Sequence, residues 1–184
     1  MLNLFAYSCG LGQAACSAGA SEVWNVDFSK SALDVGRENL ERNGLASDSA
    51  KFIVEDAFPI LWQLSGIGVK GRRSRRKHYR VEQREFDLVL LDPPGRAKGP
   101  FHTVDLVNDY QSLFKPCLQI CAEGGTVMAV NNVGTVSTND FVGVLERCAN
   151  KAGRPIRELE LLKPEQDFPS FDGRHPLKVA LCHF

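Results

Sequence analysis

The tetrapeptide Asp92-Pro93-Pro94-Gly95 carries the clearest chemical signal in the chain, because it directly follows an apolar run at residues 86–91. Proline fixes the backbone φ angle and has no N–H group, so two prolines in a row end the strand and stiffen the turn behind the acid. The carbonyl groups before the prolines stay free to accept hydrogen bonds from an amino group. We predict that Asp92, Pro93 and Pro94 hold a flat base. A rigid strand-ending turn is the alternative interpretation of this tetrapeptide when it is taken alone.

Three more predicted strand ends carry residues suited to a nucleoside ligand. Gly10 and Gly12 let the backbone approach a ligand, and the helix after them offers N–H donors and a positive dipole end to a carboxylate. Asp27 can accept both hydroxyls of a ribose, and Asp56 can accept from an adenine amino group. S-adenosylmethionine has all of these groups and is the predicted cofactor. The full set of predicted cofactor contacts is Tyr7, Ser8, Gly10, Gly12, Asp27, Phe28, Asp56, Ala57 and Asp92.

An alternation of strands and helices must position these residues. Hydrophobic patterning predicts helices at residues 13–18, 30–43, 57–64, 104–121 and 138–151, and strands at residues 2–6, 22–26, 51–54, 86–91, 125–130, 156–162 and 177–183. Ser29 is the predicted N-cap of the second helix, and Pro116 is expected to bend the fourth. The predicted fold class is α/β: a Rossmann-like, doubly wound, mostly parallel seven-stranded sheet with an antiparallel terminal strand pair. Ligands bind such sheets at the carboxyl ends of the strands, where the four sites would converge.

Composition limits the class of protein. A chain of 184 residues with 43% hydrophobic content is long enough for one compact domain, so a single catalytic domain over residues 1–184 is predicted. The six cysteines lack paired C-x-x-C spacing, so no metal is expected. No apolar run approaches the roughly 20 residues of a membrane span, and a cytoplasmic location, or an organelle matrix in a eukaryote, is expected. The formal net charge is zero, so nucleic-acid binding requires a local basic patch.

A dinucleotide-binding fold is the main alternative, because Gly10-x-Gly12-x-x-Ala15 followed by Asp27 also satisfies the loose pattern of a nicotinamide site. Asp56 and the Asp-Pro-Pro turn favour a methyltransferase, since a nicotinamide site requires neither. The terminal strand pair is also typical of methyltransferases. Asp27 and Asp56 have a purely structural interpretation as well, because either can cap the helix that follows it.

Segments spread over nearly the whole chain resemble the bacterial large-subunit ribosomal RNA methyltransferases. That family includes cytosine-C5 enzymes and a guanine-N7 enzyme, all built on a class I S-adenosylmethionine-dependent domain. The resemblance implies this fold, this cofactor and ribosomal RNA as partner. It rests on Leu2-Asn3-Leu4-Phe5-Ala6-Tyr7-Ser8, Asp27-Phe28-Ser29, Arg37-Glu38-Asn39-Leu40-Glu41-Arg42-Asn43-Gly44 and Asp92-Pro93-Pro94.

The resemblance also bears on the atom that is methylated. Cytosine-C5 enzymes need a cysteine thiolate after the fifth strand, where this chain has Asn131-Asn132 instead. That pair and Gln166-Asp167-Phe168 look like the guanine-N7 member, whose chemistry needs no covalent catalyst. Asp92, Asn131 and Asn132 are therefore predicted to hold the base edge, with Asn131 as a catalytic residue beside Asp92 and turn chemistry as the alternative for the asparagine pair. His175 is interpreted as a base contact or, in preference, a structural residue, and Cys9 is assigned no catalytic role.

One segment departs in composition from the rest of the chain and is predicted to be a basic insertion over residues 66–85. Its cations surround His78 and Tyr79 and suit phosphate contacts with stacking on exposed RNA, although a solvated charged loop fits equally well. They are Arg72, Arg73, Arg75, Arg76, Lys77, Arg80 and Arg84.

Relatives in the resembled family usually carry an RNA-binding domain ahead of the first strand, where this chain begins. Part of the substrate-binding surface is therefore expected upstream. A noncatalytic module that binds cofactor or RNA within a larger assembly is a second hypothesis, and a methyltransferase for protein or small-molecule substrates is a third.

Overall fold

The apolar runs predicted as strands form one seven-stranded sheet in a computed structural model, which describes residues 1–45, 47–67, 78–98, 103–165, 170 and 175–184. The strands in chain order are β1 (Leu2–Leu4), β2 (Val23–Asp27), β3 (Ala50–Val54), β4 (Phe86–Leu91), β5 (Arg96–Lys98), β6 (Thr103–Asp105), β7 (Cys121–Asn131), β8 (Glu158–Leu162) and β9 (Lys178–His183). The helices are α1 (Gly10–Ser17), α2 (Lys30–Arg42), α3 (Ala57–Leu64), α4 (Gln111–Ile120) and α5 (Thr138–Lys151), with a 3-10 turn at Ser47–Ser49.

The order of the strands in the sheet is β3-β2-β1-β4-β7-β9-β8. The first five of these strands pair in parallel, whereas β9 runs antiparallel to both β7 and β8. The predicted mostly parallel sheet and its antiparallel terminal pair are therefore confirmed. Strand order reverses between β1 and β4, so the carboxyl ends of β1, β2, β3 and β4 lie side by side at the switch point.

Helices cover the sheet in two groups, as a doubly wound fold requires. α1 and α2 contact each other, and α4 contacts both α3 and α5. The main hydrophobic core lies beneath the second group and includes Phe114 and Phe141, which are almost fully buried. A smaller cluster beneath α2 contains Ala6, Cys9 and Leu33. Within the described ranges, no helix is both long and apolar enough to cross a membrane.

Three predicted boundaries were wrong by three residues or more. Helix α1 begins at Gly10 instead of residue 13, because its first backbone hydrogen bond runs from Gln13 N–H to the Cys9 carbonyl. Helix α4 begins at Gln111 instead of residue 104, and the residues ahead of it contribute β6, which pairs with β5 in a small antiparallel hairpin. Strand β7 begins at Cys121 instead of residue 125, because Cys121 already pairs with Phe86.

Other local predictions were confirmed. Ser29 is the N-cap of α2, and its hydroxyl accepts a hydrogen bond from Ala32 N–H at 3.3 Å. Pro116 lies inside α4, as predicted. Two predictions fall on residues outside the described ranges: the segment Gln166-Asp167-Phe168, and most of the basic insertion, namely Arg72, Arg73, Arg75, Arg76 and Lys77.

Candidate active site

The loop between β1 and α1 has an unusual backbone, which brings main-chain groups to the carboxyl edge of the sheet. Phe5, Tyr7 and Cys9 have φ angles of 59°, 47° and 62°, in the left-handed region that non-glycine residues seldom occupy. Each such residue costs about 1–3 kcal/mol, and strain of this kind is concentrated at functional sites. The strained backbone thus lies immediately before Gly10, and the close approach of backbone to ligand at this loop stays a prediction.

Asp27 holds this loop in place. Its Oδ2 accepts a hydrogen bond from Tyr7 N–H at 2.9 Å, and its Oδ1 accepts one from Ser29 N–H at 2.8 Å. The residue is buried at the end of β2, and the cap of α2 is Ser29, so Asp27 is not the helix cap. A carboxylate oxygen can accept a second hydrogen bond, so Asp27 keeps the acceptor capacity that a ribose diol requires.

Asp56 is buried at the end of β3 and caps α3, since its Oδ1 accepts a hydrogen bond from Phe58 N–H at 3.0 Å. The structural interpretation of Asp56 as a cap is therefore confirmed for that oxygen, and the adenine contact stays a prediction. Glu55 organises the same strand end, because its carboxylate accepts from both Asp56 N–H at 2.9 Å and Tyr79 N–H at 2.8 Å. Ala57 is buried as the first residue of the helix.

Large apolar side chains lie exposed around these acids. Tyr7 is 71% exposed, Phe28 is 52% exposed and Val54, the last residue of β3, is 47% exposed. Phe28 follows Asp27 in the chain, and the backbone N–H of Tyr7 donates to the Asp27 carboxylate. Exposed apolar surface beside convergent polar groups is typical of a ligand site, and these side chains suit the faces of a purine ring.

The two predicted glycines have different surroundings. A Cβ atom on Gly10 would meet no atom within 4 Å, so this position is open at the start of α1. Gly12 is buried, and a Cβ atom there would lie 2.1 Å from Oδ1 of Asn25 on β2. Close packing of α1 on the sheet therefore explains the glycine at position 12, while Gly10 remains available to a ligand. Ser8 lies within the strained loop, between Tyr7 and Cys9, and is half-buried.

The Asp92-Pro93-Pro94-Gly95 turn follows β4, as predicted, and its acid points out of the core. Asp92 is exposed, and no hydrogen bond reaches its carboxylate from the described part of the chain. The surrounding protein nevertheless removes enough water to raise the pKa of Asp92. Pro93 is buried and Pro94 is half-buried, so the turn is anchored behind the acid. This arrangement leaves one unpaired carboxylate beside the expected methyl-transfer position.

Asn131 and Asn132 have different environments, and the prediction that Asn131 holds the base does not fit its contacts. Asn131 is buried, its Nδ2 donates to the Leu106 carbonyl at 3.3 Å, and its Oδ1 accepts from Val133 N–H at 2.9 Å. This is the turn chemistry named as the alternative. Asn132 is exposed, and its Oδ1 lies 3.1 Å from the Cβ position of Gly95 in the Asp-Pro-Pro-Gly turn. Asn132 is therefore the amide that faces this turn.

Lys178 was missed in the sequence analysis. It is buried at the start of β9 opposite Asn131, and its Nζ donates to the carbonyls of Val133 at 2.9 Å and Pro176 at 2.6 Å. Burial lowers the pKa of its ammonium group. The lysine joins the turn after β7 to the final loop, where His175 is exposed. A cation inside the apolar run at residues 177–182 was the signal that could have identified it.

None of the six cysteines, all within the described ranges, lies at the carboxyl end of β7. Burial, and secondarily Asp27, raises the pKa of Cys9 to about 12, so the thiol in the strained loop stays protonated at neutral pH. Burial raises the pKa of Cys121 to about 11 and that of Cys182 to about 12. These environments are unsuited to a nucleophilic thiolate, in agreement with the interpretation of Cys9 as noncatalytic.

The described end of the basic insertion is folded onto the sheet. Arg84 pairs with Glu22 at 2.6 Å and lies 5.3 Å from the centroid of the Trp24 ring, at the amino edge of the strands. It therefore has a structural partner away from the candidate site. Tyr79 is 45% exposed and its backbone is held by Glu55 and by Gln63, whose Nε2 donates to the Tyr79 carbonyl at 2.9 Å. Arg80 is exposed beside it.

The chain is similar in sequence to ribosomal RNA methyltransferases. It is 32% identical to ribosomal RNA large subunit methyltransferase I of Aeromonas hydrophila over 169 residues, which are 92% of this chain and 39% of that protein. The protein of the same name from Photobacterium profundum is 31% identical and is matched by 100% of this chain over 43% of its own length. The chain thus spans about two fifths of the length of the curated relatives it matches.

Solved structures share the fold. The protein SMU.776, complexed with SAH, superposes with a TM-score of 0.79 at 24% identity, over 100% of this chain and 44% of that one. An S-adenosylmethionine-dependent methyltransferase from Agrobacterium tumefaciens superposes with a TM-score of 0.69 at 21% identity, over 99% of this chain and 54% of that one. The sequence pattern of the S-adenosylmethionine-dependent methyltransferase family matches residues 1–183, and the chain belongs to that family.

Proposed function

We propose that residues 1–184 form one catalytic domain that methylates a nucleobase of large-subunit ribosomal RNA at a ring nitrogen. The observation that carries the proposal is the Asp92 carboxylate, which has no hydrogen-bond partner among the described residues. It follows β4, the strand that pairs with β1 ahead of the strained loop, and it belongs to the turn that Asn132 faces. The relatives named for ribosomal RNA methylation support the substrate class.

The residues present fit S-adenosylmethionine. Asp27 retains acceptor capacity for the ribose, and exposed Tyr7 and Phe28 offer apolar faces to the adenine. The open position at Gly10, at the positive end of α1, suits the carboxylate of the methionine part. Asp56 is proposed to orient the adenine end of the pocket together with Ala57, and Ser8 to line the loop side.

When bound, S-adenosylmethionine supplies an electrophilic methyl group. The protein's task is then to position a ring nitrogen, whose lone pair is already nucleophilic, and to exclude water. In this proposal Asp92 accepts from the amino group of the base and stabilises the positive charge that the ring acquires on methylation. Pro93 and Pro94 keep the carboxylate in position, and Asn132 contacts the base edge. Asn131 and Lys178 act as positioning residues, because they hold the turn that carries Asn132.

The first test is calorimetric titration with S-adenosylmethionine and, separately, with NAD. We expect saturable binding of S-adenosylmethionine, weakened at least tenfold in Asp27→Asn, because the ribose acceptor loses its charge and one of its acceptor oxygens. Asp34→Asn is the matched control, since Asp34 lies on the surface of α2 and, among the described residues, forms ion pairs only with Lys30 and Arg37. Binding of NAD in place of S-adenosylmethionine would overturn the assignment of the cofactor.

The second test follows transfer of an isotopically labelled methyl group to unmodified ribosomal RNA, with nucleoside analysis of the product by mass spectrometry. We expect a purine methylated at a ring nitrogen. A 5-methylcytosine product would contradict the proposed chemistry, since that reaction needs a nucleophilic cysteine. Cofactor binding without transfer to any RNA would favour a noncatalytic module, and transfer to a protein or small molecule would favour the third hypothesis.

A further inference from the structure

A groove of about 700 Å³ lies between α4 and α5, outside the cofactor edge of the sheet. Its inner end contains Asn131 and the buried ring of Tyr110, and Val136 and Val144 contribute apolar wall. Its volume lies within the range of about 300–1,000 Å³ that is typical of small-ligand sites. The groove therefore has the dimensions of a nucleotide-sized ligand and begins at a residue of the candidate active site.

Three cations lie along the outer part of this groove. Lys115 comes from α4, Arg147 and Lys151 come from α5, and all three are exposed. Burial raises the pKa of the Cys148 thiol between these helices, and the ammonium groups of Lys115 and Lys151 offset part of that rise. The one acid in the groove lining, Asp140, accepts a hydrogen bond from the hydroxyl of Ser137 and does not pair with these cations in the described part of the chain. The groove therefore has a net positive rim.

Tyr110 closes the inner end of the groove. The residue is 3% exposed, and its hydroxyl is buried in the core and inaccessible to a ligand in the groove. Tyr110 therefore contributes ring surface to the apolar wall.

We infer that this groove binds a nucleotide of single-stranded RNA next to the methylated base, with its phosphate groups on Lys115, Arg147 and Lys151 and its base against the apolar wall. The inference rests on the proposed function, because it supplies a track for the same RNA. Charge complementarity identifies the occupant: the groove joins a cationic rim to an apolar wall, and RNA combines anionic phosphates with flat apolar bases. Asn131 lines the groove and precedes Asn132 in the chain, so the inner end of the groove lies beside the proposed target base.

Fluorescence anisotropy with a short fluorescein-labelled single-stranded oligoribonucleotide tests the phosphate contacts. Lys115→Gln, Arg147→Gln and Lys151→Gln should each weaken binding several-fold. Each should also reduce the slope of log affinity against log salt concentration by about 0.7, which corresponds to one phosphate contact on a single strand. Arg42→Gln is the control, because Arg42 is an exposed cation near the end of α2 in the other helix group. It should change neither the affinity nor the slope.

Calorimetric binding of S-adenosylmethionine by the same variants distinguishes failure of this inference from failure of the proposed function. Normal cofactor binding with RNA affinity unchanged in all groove variants would overturn the groove assignment alone. No RNA binding by the unaltered chain would overturn both the groove and the proposed RNA substrate. Weakened RNA binding with normal cofactor binding is the expected result.

Discussion

Asp92 is an exposed carboxylate whose pKa is nevertheless raised by the surrounding protein. Because the pKa of Asp92 is higher in the folded chain than in the unfolded chain, the folded chain binds more protons at pH values between the two. Stability conferred by this residue is therefore lost as pH rises from the ordinary carboxyl range through the raised pKa. At neutral pH the ionised group opposes folding, and an unfavourable charge of this kind fits a catalytic residue.

Asp92→Asn removes this unfavourable charge and the proposed catalytic acceptor together. We expect higher stability than the unaltered chain at neutral pH, with the difference vanishing below the ordinary carboxyl pKa, as measured by urea unfolding at a series of pH values. Methyl transfer should fall roughly a hundredfold, the scale for loss of one electrostatic group at a reacting centre. A variant less stable than the unaltered chain at neutral pH would contradict the desolvation argument.

The same substitution should have different effects on stability at the two adjacent asparagines. Asn131→Ala leaves the Leu106 carbonyl and Val133 N–H without their partners, so it should lower the free energy of unfolding by about 1–3 kcal/mol. Asn132→Ala changes an exposed side chain, so stability should stay within about 0.5 kcal/mol while methyl transfer falls. Denaturant unfolding and transfer assays on the pair make the comparison. Equal loss of stability in both variants would refute the division of roles.

Among the elements, α2 is held tightly against the strained loop, and its glycine makes this contact possible. A Cβ atom on Gly36 would lie 2.6 Å from Sγ of Cys9 and 3.2 Å from the backbone carbon of Ser8. Gly36→Ala should therefore destabilise the fold by about 1–3 kcal/mol through overpacking, and should weaken cofactor binding by displacing the loop. Thermal unfolding and calorimetric titration measure the two effects.

Gly143→Ala in α5 is the matched comparison. Its new Cβ atom would meet only the end of the Arg147 side chain at 3.0 Å, which can move aside. The substitution should therefore stabilise the helix by up to about 1 kcal/mol, because alanine is the better helix former. If Gly36→Ala were also stabilising, the packing of α2 on the loop would not be the reason for glycine there.

Elements were predictable where local patterning and tertiary packing agree, as in β4, α3 and α5, whose predicted bounds match the structure. The start of α4 was not, because Asp105 accepts hydrogen bonds from Val107 and Asn108 N–H groups and so forms a turn where helical periodicity continues. The early start of β7 depends on pairing of Cys121 with Phe86 and on Gly124, which has a φ of 74°. Such contacts join distant residues and leave no periodic signal.

The same distinction applies to the candidate site. The acids at strand ends were predictable, because parallel topology alone brings them to one edge. The division between Asn131 and Asn132 was not, since it depends on which amide faces the Leu106 carbonyl of a distant loop. The groove between α4 and α5 was equally hidden, because it is formed only when Tyr110 and the α5 cations meet.

At the scale of the whole molecule, the cysteines report on the cooperativity of the fold. Five of the six are buried, distributed over α4, α5, β7, β9 and the β1–α1 loop, and only Cys16 is partly exposed. A thiol reagent added to the folded protein should therefore react quickly with Cys16 alone and with all six thiols in denaturant. In Cys16→Ser, the remaining reaction should follow opening of the structure.

Cofactor binding should then protect all five buried thiols together, since a ligand that binds only the folded state lowers the open population by a factor of 1 + [L]/Kd. At a concentration one hundred times Kd, their reaction in Cys16→Ser should slow about a hundredfold when opening is global and reclosing is fast. Protection should be much weaker in Cys16→Ser combined with Asp27→Asn at the same cofactor concentration. If only Cys9 were protected, opening would be confined to the cofactor loop, and the loop would be a separate cooperative unit from the core that contains Cys117 and Cys182.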